Sequence, residues 1–498
     1  MFFNTPTQTE IFNQIIKEGA ASIMNDKQFI EAEIRKWKGS LQYREQIAGS
    51  NYYHGFHDIL HAKRTAIGEG GELEEIKNLP NRHDIDNQYA IAVDKKTNYF
   101  LGKPITIDSE NEAYAEALRK VMNKKFMKKM KNICKKSLNG GIAWVYPHFD
   151  DKGKLKLSVF PAYEIIPEWK DVEHEELDMA IRVYEVIEYQ GTTEVKVTKV
   201  EVYRLDGIYR YVLDDFALIP DVAQGDYTPY FTVDNKAFQW NKIPLIAFKY
   251  NAEEIPLIRR TKGLQDAINE MLSMFHNNML EDNRNTILII KNYDGQNLGE
   301  FRRNLATYGA VKVRSIDGAD GGVDALQVEV NAENYNTILE LLKVALIENA
   351  RSFDGKVLKS GTPNQMNILS VYNEIDIDTN EMETEYQAAL EELLPFINAY
   401  LSLSGLGDFT DEEVNFIFNR DMLINENEIM QTLINAGMKV SQRTLLKQAP
   451  WIDDVEAEME EIKKETEESM ETYGDAFMQP YEGNSDDSDV MNKNKDDK

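Results

Sequence analysis

The chain contains 498 residues, of which 56 are Lys or Arg and 85 are Asp or Glu, so its formal net charge is −29 at pH 7. Such an acidic surface argues against a tight, sequence-independent nucleic-acid binder, because that kind of protein neutralises phosphates with Lys and Arg. The single cysteine, Cys134, excludes an intrachain disulfide and favours a reducing compartment. The sequence has neither the pattern of a signal peptide nor a membrane-spanning stretch, so we expect a soluble intracellular protein.

The first 260 residues predict helices followed by an antiparallel sheet. Apolar residues recur at helical intervals in the N-terminal part. From Ile142 the apolar pattern alternates, and turn residues at 150–153, 190–191 and 206–207 separate the predicted strands. A further strand is predicted at 243–250. The pattern is typical of a β-meander packed beside helices.

Residues 119–136 form a basic island with nine Lys or Arg residues and no Asp or Glu. Apolar residues at helical spacing run through it, so we predict an amphipathic helix with one strongly positive side. Two interpretations stay open. The positive side is either a solvated surface that balances nearby carboxylates, or a surface that faces DNA or the acidic patch of a partner.

Three helices are predicted between residues 261 and 404. The first covers 261–283 and the second covers 331–350, and both carry apolar residues at three- and four-residue spacing. The third is a long helix over 367–404. It contains Pro395, which lacks a backbone donor and should bend the helix.

The segments around these helices differ in composition. Residues 284–330 predict three short strands, and the polar stretch 351–366, rich in Gly and Pro, predicts a surface loop. After Gly405 the chain is again helical and acidic. Residues 453–498 hold 17 Asp or Glu against 5 Lys, and the last part, 481–498, is predicted to be disordered.

One motif indicates enzyme chemistry. His57 and His61 stand four residues apart, a spacing at which two helical histidines can bind one zinc ion. Asp58 replaces the glutamate of zinc proteases, no third ligand is clear, and the surrounding aromatic residues favour ordinary helix packing. No phosphate-binding loop or nucleophile motif is present in the sequence. We therefore expect no enzyme activity, no catalytic residue, no cofactor and no metal, with a zinc metalloenzyme as the alternative.

Four short motifs are spread along the chain. They are Tyr52-Tyr-His-Gly-Phe-His-Asp-Ile-Leu60, Tyr99-Phe-Leu-Gly-Lys-Pro104, Asn139-Gly-Gly-Ile-Ala-Trp-Val-Tyr146 leading to Phe160–Pro167, and Ser441-Gln-Arg-Thr-Leu445 with Pro450–Asp454. In this order they resemble the portal, or head-to-tail connector, proteins of long-tailed bacteriophages that infect Gram-positive hosts. The order of helices, insert and loop between residues 261 and 405 resembles the same family.

The resemblance implies an α+β, mainly helical portal fold that forms a ring with a central channel. The implied regions are a wing at 1–260, a stem helix at 261–283, a clip at 284–330, a second stem helix at 331–350, a tunnel loop at 351–366, a long kinked wing helix at 367–404, a helical crown at 405–480 and an acidic disordered tail at 481–498.

The resemblance also implies the function. Twelve subunits would form a ring at one capsid vertex, the channel for DNA packaging by terminase and for DNA exit into the tail, and the docking platform for head–tail connection. The implied partners are other copies of the chain, the terminase large subunit, the major capsid and scaffolding proteins, a head–tail adaptor protein, and double-stranded DNA that passes without tight binding. No membrane is involved. The implied location is the virion, and the host cytoplasm during assembly. A structural adaptor without a channel stays an alternative.

Three sets of site residues follow from the resemblance. The tunnel-loop set lines the channel: Asp354, Lys356, Lys359, Ser360, Thr362 and Asn364. The clip set docks partner proteins: Arg302, Arg303 and Lys312. The stem set packs helix against helix: Leu264, Ile268, Phe275, Leu342 and Leu346.

Overall fold

The computed structural model describes residues 26–67, 71–77, 79–150, 152–233, 236–281, 287–291, 322–326, 332–355, 365–420, 441–448, 452, 455 and 457–466. The chain divides into two units. The first contains Met1–Thr362 and Leu369–Met422, and the second contains Pro363–Ile368 and Leu423–Lys498.

Among the described residues, five helices form the N-terminal part of the first unit: α1 Asp26–Gly39, α2 Leu41–Tyr53, α3 Gln88–Leu101, α4 Glu112–Val121 and α5 Lys124–Gly140. The side chain of a Ser or Asn caps each of α2 to α5 by accepting a hydrogen bond from a backbone N–H of the first turn: Ser40, Asn87, Asn111 and Asn123. Gly141 ends α5 with a φ of 78°, and a Cβ there would lie 1.9 Å from the Glu254 carbonyl oxygen. Only glycine fits this turn.

Two antiparallel sheets follow. The smaller has the strand order β14-β4-β5, built from β4 Ile142–Phe149, β5 Leu155–Pro161 and β14 Ile246–Lys249. The larger has the order β10-β9-β8-β7-β6, built from β6 Ile165–Trp169, β7 Leu177–Gln190, β8 Thr193–Tyr203, β9 Ile208–Asp214 and β10 Ala217–Pro220, with β11 Tyr227–Thr228 also paired to β9. The predicted hairpin and meander are confirmed.

Short strand pairs complete the β structure of the described residues. They are β1 Thr65–Ile67 with β2 Leu73–Glu75, β12 Phe231–Val233 with β13 Lys236–Phe238, β15 Ile287–Lys291 with β16 Gly322–Leu326, and β3 Thr106–Asp108 with β17 Asn415–Ile417. The strand β17 differs from the sequence prediction, which expected only helix after Gly405. It is three residues long, too short for an alternating pattern to be recognised, and it exists because β3 pairs with it.

Three long helices occupy the middle of the chain: α6 Ile258–Glu281, α7 Ala332–Asn349 and α8 Gln365–Leu403. They confirm the three predicted helices to within three residues at each end. The helix α8 is continuous through Pro395.

The largest apolar core lies between α3, α4, α5 and α8. Tyr386 of α8 is fully buried there, with its ring 5.1 Å from that of Phe100 and 5.2 Å from that of Phe248. Burial of a phenylalanine side chain contributes about 1.5–3 kcal/mol. A second core lies between the two sheets and includes Trp144 and Trp169, and a third lies where α1 packs on the larger sheet. The first core fixes α3 and α8 beside the small sheet.

The second unit contains the helix α9 Gln442–Gln448 and a helical stretch at 457–466. Ser441 precedes α9, and its hydroxyl accepts a hydrogen bond from the Thr444 backbone N–H at 3.4 Å. The Ser and Thr of the predicted C-terminal motif therefore form a helix cap.

Candidate functional site at the base of the 351–366 loop

One buried row of side chains on α6 is polar. Its side chains are spaced four residues apart and lie in one row along the helix: Gln265, Asn269, Ser273 and Asn277. They accept hydrogen bonds from four backbone N–H groups of the chain that leads into α3: those of Tyr89, Asp86, Asp84 and Arg82, in that order. Because buried backbone donors need partners, this polar row fixes the path of residues 82–89 along α6.

The turn after α7 is held by two neighbouring lysines of α3. Arg351 in this turn has a φ of 45°, in the left-handed region that non-glycine residues seldom adopt. Its carbonyl accepts a hydrogen bond from Lys96 Nζ at 3.0 Å, and the Phe353 carbonyl accepts one from Lys95 Nζ at 2.7 Å. These contacts fix residues 351–353, which we call the loop base.

The carboxylate of Asp378 joins the loop base to the surrounding elements. It accepts hydrogen bonds from Lys96 Nζ, from the Tyr250 hydroxyl at 2.7 Å and from Arg351 Nη1 at 3.2 Å. Arg260, near the start of α6, lies 3.8 Å from the same carboxylate. Asp378 therefore brings five segments together: the helices α3, α6 and α8, and the turns after β14 and α7.

Burial makes these electrostatic contacts strong. Asp378 is 4% exposed and Lys96 is 1% exposed. Burial lowers the pKa of Lys96, and the negative charge of Asp378 opposes that shift. Burial also raises the pKa of Tyr250, with a further contribution from Asp378. Removing one partner of a buried pair leaves the other charge uncompensated, at a cost of about 3–5 kcal/mol.

A row of aromatic rings supports the loop base from the side. The ring of Phe353 lies 4.6 Å from that of Tyr372, which in turn stacks 5.5 Å from Tyr99. The Tyr99 hydroxyl donates to Asp376 at 2.9 Å, and Arg420 pairs with the same carboxylate. The loop base is thus held between α3 and α8 by both charge and packing.

Sequence reasoning missed this cluster. Lys96 and Asp378 are 282 residues apart, so no local motif joins them. A weak signal exists on each helix, because Lys96 interrupts the apolar stripe of α3 and Asp378 interrupts that of α8 between Ile375 and Met382. A lone charge inside an apolar stripe indicates a buried partner elsewhere in the chain.

Comparison with known proteins decides the family. The family model described as phage portal protein, SPP1 Gp6-like, matches residues 36–472. This chain belongs to that family of phage portal proteins. The portal protein of Bacillus phage SPP1 is 28% identical to it over 475 residues, which cover 94% of this chain and 92% of the relative. The portal protein of Clostridium phage phiCD119 is 25% identical over 424 residues, which cover 83% of this chain and 90% of the relative.

The resemblance predicted from four motifs is therefore confirmed, and both relatives come from phages of Gram-positive hosts. Portal proteins are structural components of the virion at the capsid. Within the described ranges, no helix of this portal protein combines the length and apolar character needed to cross a membrane.

The predicted tunnel-loop residues lie mostly outside the described residues: Lys356, Lys359, Ser360, Thr362 and Asn364. Asp354, directly after the loop base, is partly buried. The predicted clip residues Arg302, Arg303 and Lys312 also lie outside the described residues. Two strands of that segment are present, β15 and β16, which pair antiparallel. The first matches the predicted strand at 286–291, and the second overlaps the strand predicted at 325–330 only at residues 325 and 326.

The predicted stem residues are placed within the subunit. Ile268 and Leu346 are fully buried, whereas Leu264, Phe275 and Leu342 are partly buried. The ring of Phe275 lies 5.3 Å from that of Tyr335, where α6 packs on α7. Other apolar side chains of the two helices remain exposed: Met274, Met279, Leu280, Ile338, Leu341 and Val344.

The zinc alternative does not agree with the structure. His57 is buried, its Nε2 contacts the Tyr52 carbonyl at 3.0 Å, and its Nδ1 contacts the Asn269 amide at 2.8 Å. A neutral imidazole has one lone pair for a metal, and here the Asn269 N–H occupies it. His61 is exposed at the end of a short 3₁₀ turn, Asp58–His61, and not on a helix with His57. Among the described residues no group of three or more potential ligands could hold a metal ion.

Proposed function

We propose that this portal protein assembles into a closed ring of twelve subunits at one capsid vertex. The observation that supports assembly is the apolar surface left on the α6–α7 pair, with Ile338 at 44%, Leu341 at 64% and Val344 at 49% exposed. These three residues follow one another at three-residue spacing, so they share a side of α7. A subunit that offers such a side gains stability when a neighbour covers it.

The contact would join unlike patches on successive subunits. A contact of that kind closes into a ring when the rotation between subunits divides a full turn. The helices α6 and α7 would then form the stem around a channel, with the strands β15 and β16 projecting from it as part of the clip.

The channel would carry double-stranded DNA, pumped in by the terminase large subunit and released into the tail. The loop base gives the tunnel loop a rigid attachment, while the loop itself, with Gly361 and Pro363, has the composition of an adaptable surface segment. Lys356 and Lys359 would make brief phosphate contacts there.

The clip would bind terminase and later the head–tail adaptor through Arg302, Arg303 and Lys312. Major capsid and scaffolding proteins would contact the ring during assembly in the host cytoplasm. The role is structural, without a catalytic step, and an adaptor without a channel is the competing structural function.

The double substitution Leu341→Asp and Val344→Asp tests ring formation. We expect folded subunits that no longer assemble, because each aspartate places a charge in the apolar contact. Native mass spectrometry and top views in negative stain measure the outcome, and circular dichroism checks folding. Leu342→Asp is a less clean test, since Leu342 is already partly buried within the subunit.

Asn336→Asp is the matched control, because Asn336 is an exposed polar residue of the same helix. It should assemble normally. Rings of normal size from the double variant would contradict the stem contact, and top views without a central opening in the unmodified protein would favour the adaptor function.

A further inference from the structure

The basic island at 119–136, which covers the end of α4 and most of α5, is only partly neutralised inside the subunit. Arg119 pairs with Glu112 at 2.7 Å, Lys120 with Glu116 at 2.9 Å and Lys135 with Asp94 at 2.6 Å. Of the α5 lysines, Lys135 alone makes an ion pair with a residue that the structure describes; Lys129 donates to the Leu157 carbonyl, and Lys136 is partly buried. The remaining four make no ion pair with a described residue: Lys124, Lys125, Lys128 and Lys131. We call these four the α5 lysine patch.

Charge repulsion in the α5 lysine patch lowers the stability of the isolated subunit. Lys124 and Lys125 stand in the first turn of α5, where the positive end of the helix dipole repels cations. Lys128 lies four residues after Lys124 and three before Lys131, and like charges at these spacings repel one another. A solvated surface would not need this arrangement, so the patch indicates an anionic partner.

An acidic cleft of about 360 Å³ lies elsewhere on the same unit, between the turn after β6, the strand β14 and the outer side of α8. Its walls carry three lysines, Lys170, Lys242 and Lys249, and twice as many carboxylates. The carboxylates are Glu173, Glu175, Glu176, Asp178, Glu385 and Glu392. The cleft thus has an excess of three negative charges.

Two carboxylates of the cleft lie on α8 and are partly buried: Glu385 makes no ion pair with any residue that the structure describes, and Glu392 pairs with Lys242 at 3.9 Å. Burial, followed by the nearby charges of Glu381 and Glu254, raises the pKa of Glu385 against the opposing effect of Lys249. Burial also raises the pKa of Glu392. An ammonium group entering the cleft would stabilise both ionised carboxylates.

The two surfaces match in spacing. Glu385 and Glu392 are seven residues apart on α8, and Lys124 and Lys131 are seven residues apart on α5. Both pairs therefore span about 10.5 Å on one side of a helix. The exposed Ala388 between the two glutamates leaves room for another helix to approach.

The cleft cannot be filled by α5 of the same subunit. Ile246 and Phe248 of β14 belong to the core shared with α5, whereas Ala247 and Lys249 point to the other side of the sheet and line the cleft. The lysine patch and the β14 wall of the cleft thus lie on different sides of one sheet. A contact between them must join two copies of the chain through unlike surfaces, which is the kind of contact that builds a ring.

We propose that the α5 lysine patch of one subunit docks on the acidic cleft and outer side of α8 of the next subunit. This contact is a second intersubunit interface, separate from the α6–α7 contact, and it rests on the ring proposed above. It gives the ring an electrostatic component that sets the orientation of neighbouring subunits and weakens with salt.

Cysteine cross-linking tests the contact directly. Lys128→Cys and Ala388→Cys are made in separate proteins, mixed before assembly and oxidised mildly. The only native cysteine, Cys134, is fully buried, so it contributes little background. We expect a covalent dimer only in the mixture. The control pair Lys38→Cys with Ala388→Cys uses an exposed lysine of α1 and should give none. A mixture that assembles without forming the first cross-link overturns the proposal.

Charge reversal tests the energetics. The triple variant Lys124→Glu, Lys128→Glu, Lys131→Glu should raise the subunit concentration needed for half-assembly by about tenfold at physiological ionic strength. Adding Glu385→Lys and Glu392→Lys to the same chain should restore most of the loss. The control Lys38→Glu, Lys77→Glu, Lys152→Glu changes the net charge equally at exposed lysines and should assemble normally.

The results separate this contact from other possibilities. Unchanged assembly of the triple variant together with weaker, salt-sensitive DNA binding would overturn the proposal and make the patch a nucleic-acid surface. A wild-type protein that forms no ring would overturn the proposed function, whereas wild type and triple variant that form rings at the same subunit concentration would overturn only this second interface.

Discussion

The imidazole of His57 is kept neutral by its surroundings. Burial lowers its pKa from the ordinary value of 6.5, since the ring is stacked 4.3 Å from Tyr52 and both nitrogens are engaged by Tyr52 and Asn269. A proton on Nδ1 would meet the donating amide of Asn269 in place of an acceptor. His57, the residue that most resembles a zinc ligand in the sequence, therefore has a structural role. It lies in the turn after α2 and connects the end of α2 to α6.

His57 should make the protein less stable as the pH falls. Its pKa is lower in the folded than in the unfolded state, so below about pH 6.5 the unfolded chain binds the extra proton and is favoured. The stability contributed by neutral His57 is fully present above that pH and decreases as the pH falls toward the folded pKa. Urea unfolding at several pH values measures this.

His57→Gln is the matched comparison, because glutamine can keep one donor and one acceptor without titrating. The free-energy difference between the wild type and this variant should shrink as the pH falls below about 6.5. A difference that is independent of pH between 5 and 8, roughly the range in which histidine titrates, would contradict a buried neutral His57.

At the scale of elements, three helices depend on Asp378. The substitution Asp378→Asn leaves Lys96 buried without a counter-charge, and we expect the free energy of unfolding to fall by about 3–5 kcal/mol. Denaturant unfolding measures the change. Asp376→Asn is the control two residues away on α8, since Asp376 is 43% exposed and its pairing with Arg420 should contribute about 1 kcal/mol or less.

A double substitution tests whether the instability of Asp378→Asn comes from the uncompensated charge of Lys96 or from altered packing. Lys96→Met with Asp378→Leu removes both buried charges, and apolar replacement of a buried pair is often neutral. It should recover most of the stability lost in Asp378→Asn, because Arg351 and Arg260 are partly exposed and can be hydrated. Equal destabilisation by the single and double variants would show that the pairing of Lys96 with Asp378 is not the source of the effect.

Element positions were more predictable from the sequence than element contacts. The helices α6, α7 and α8 and the strands of the meander follow from local periodicity, which records whether a side of an element is apolar. The same reasoning assigned the packing side of α6 to Leu264, Ile268 and Phe275. Ile268 is fully buried, but the buried row that begins at Gln265 is polar and was not predicted. Hydrophobic periodicity cannot detect a side chain that is buried in order to bond a distant backbone. The partners of Asn269 and Asp378 are fixed only by tertiary structure.

At the scale of the whole molecule, the net charge determines how strongly a ring would bind DNA. Twelve subunits with a formal charge of −29 carry 12 × −29 = −348 charges, so duplex DNA would meet a repulsive surface that prevents tight binding. Local cations would then act against a negative background. The lysines of the tunnel loop and the α5 patch have different expected partners, because the former would meet DNA and the latter a neighbouring subunit.

The tunnel loop should affect DNA transport without affecting assembly. Lys356→Ala with Lys359→Ala removes two cations from each subunit, and we expect normal rings with a changed packaging rate or a changed retention of packaged DNA. Deletion of several residues between the loop base and α8 should damage packaging far more, because the gap around the duplex changes in every subunit at once. The loop base, held by Lys95, Lys96 and Asp378, stays intact in such a deletion, so the loss would come from the loop itself. Packaging assays and phage yield measure both effects. Normal packaged DNA length and normal yield from the shortened loop would remove the reason for placing it in the channel.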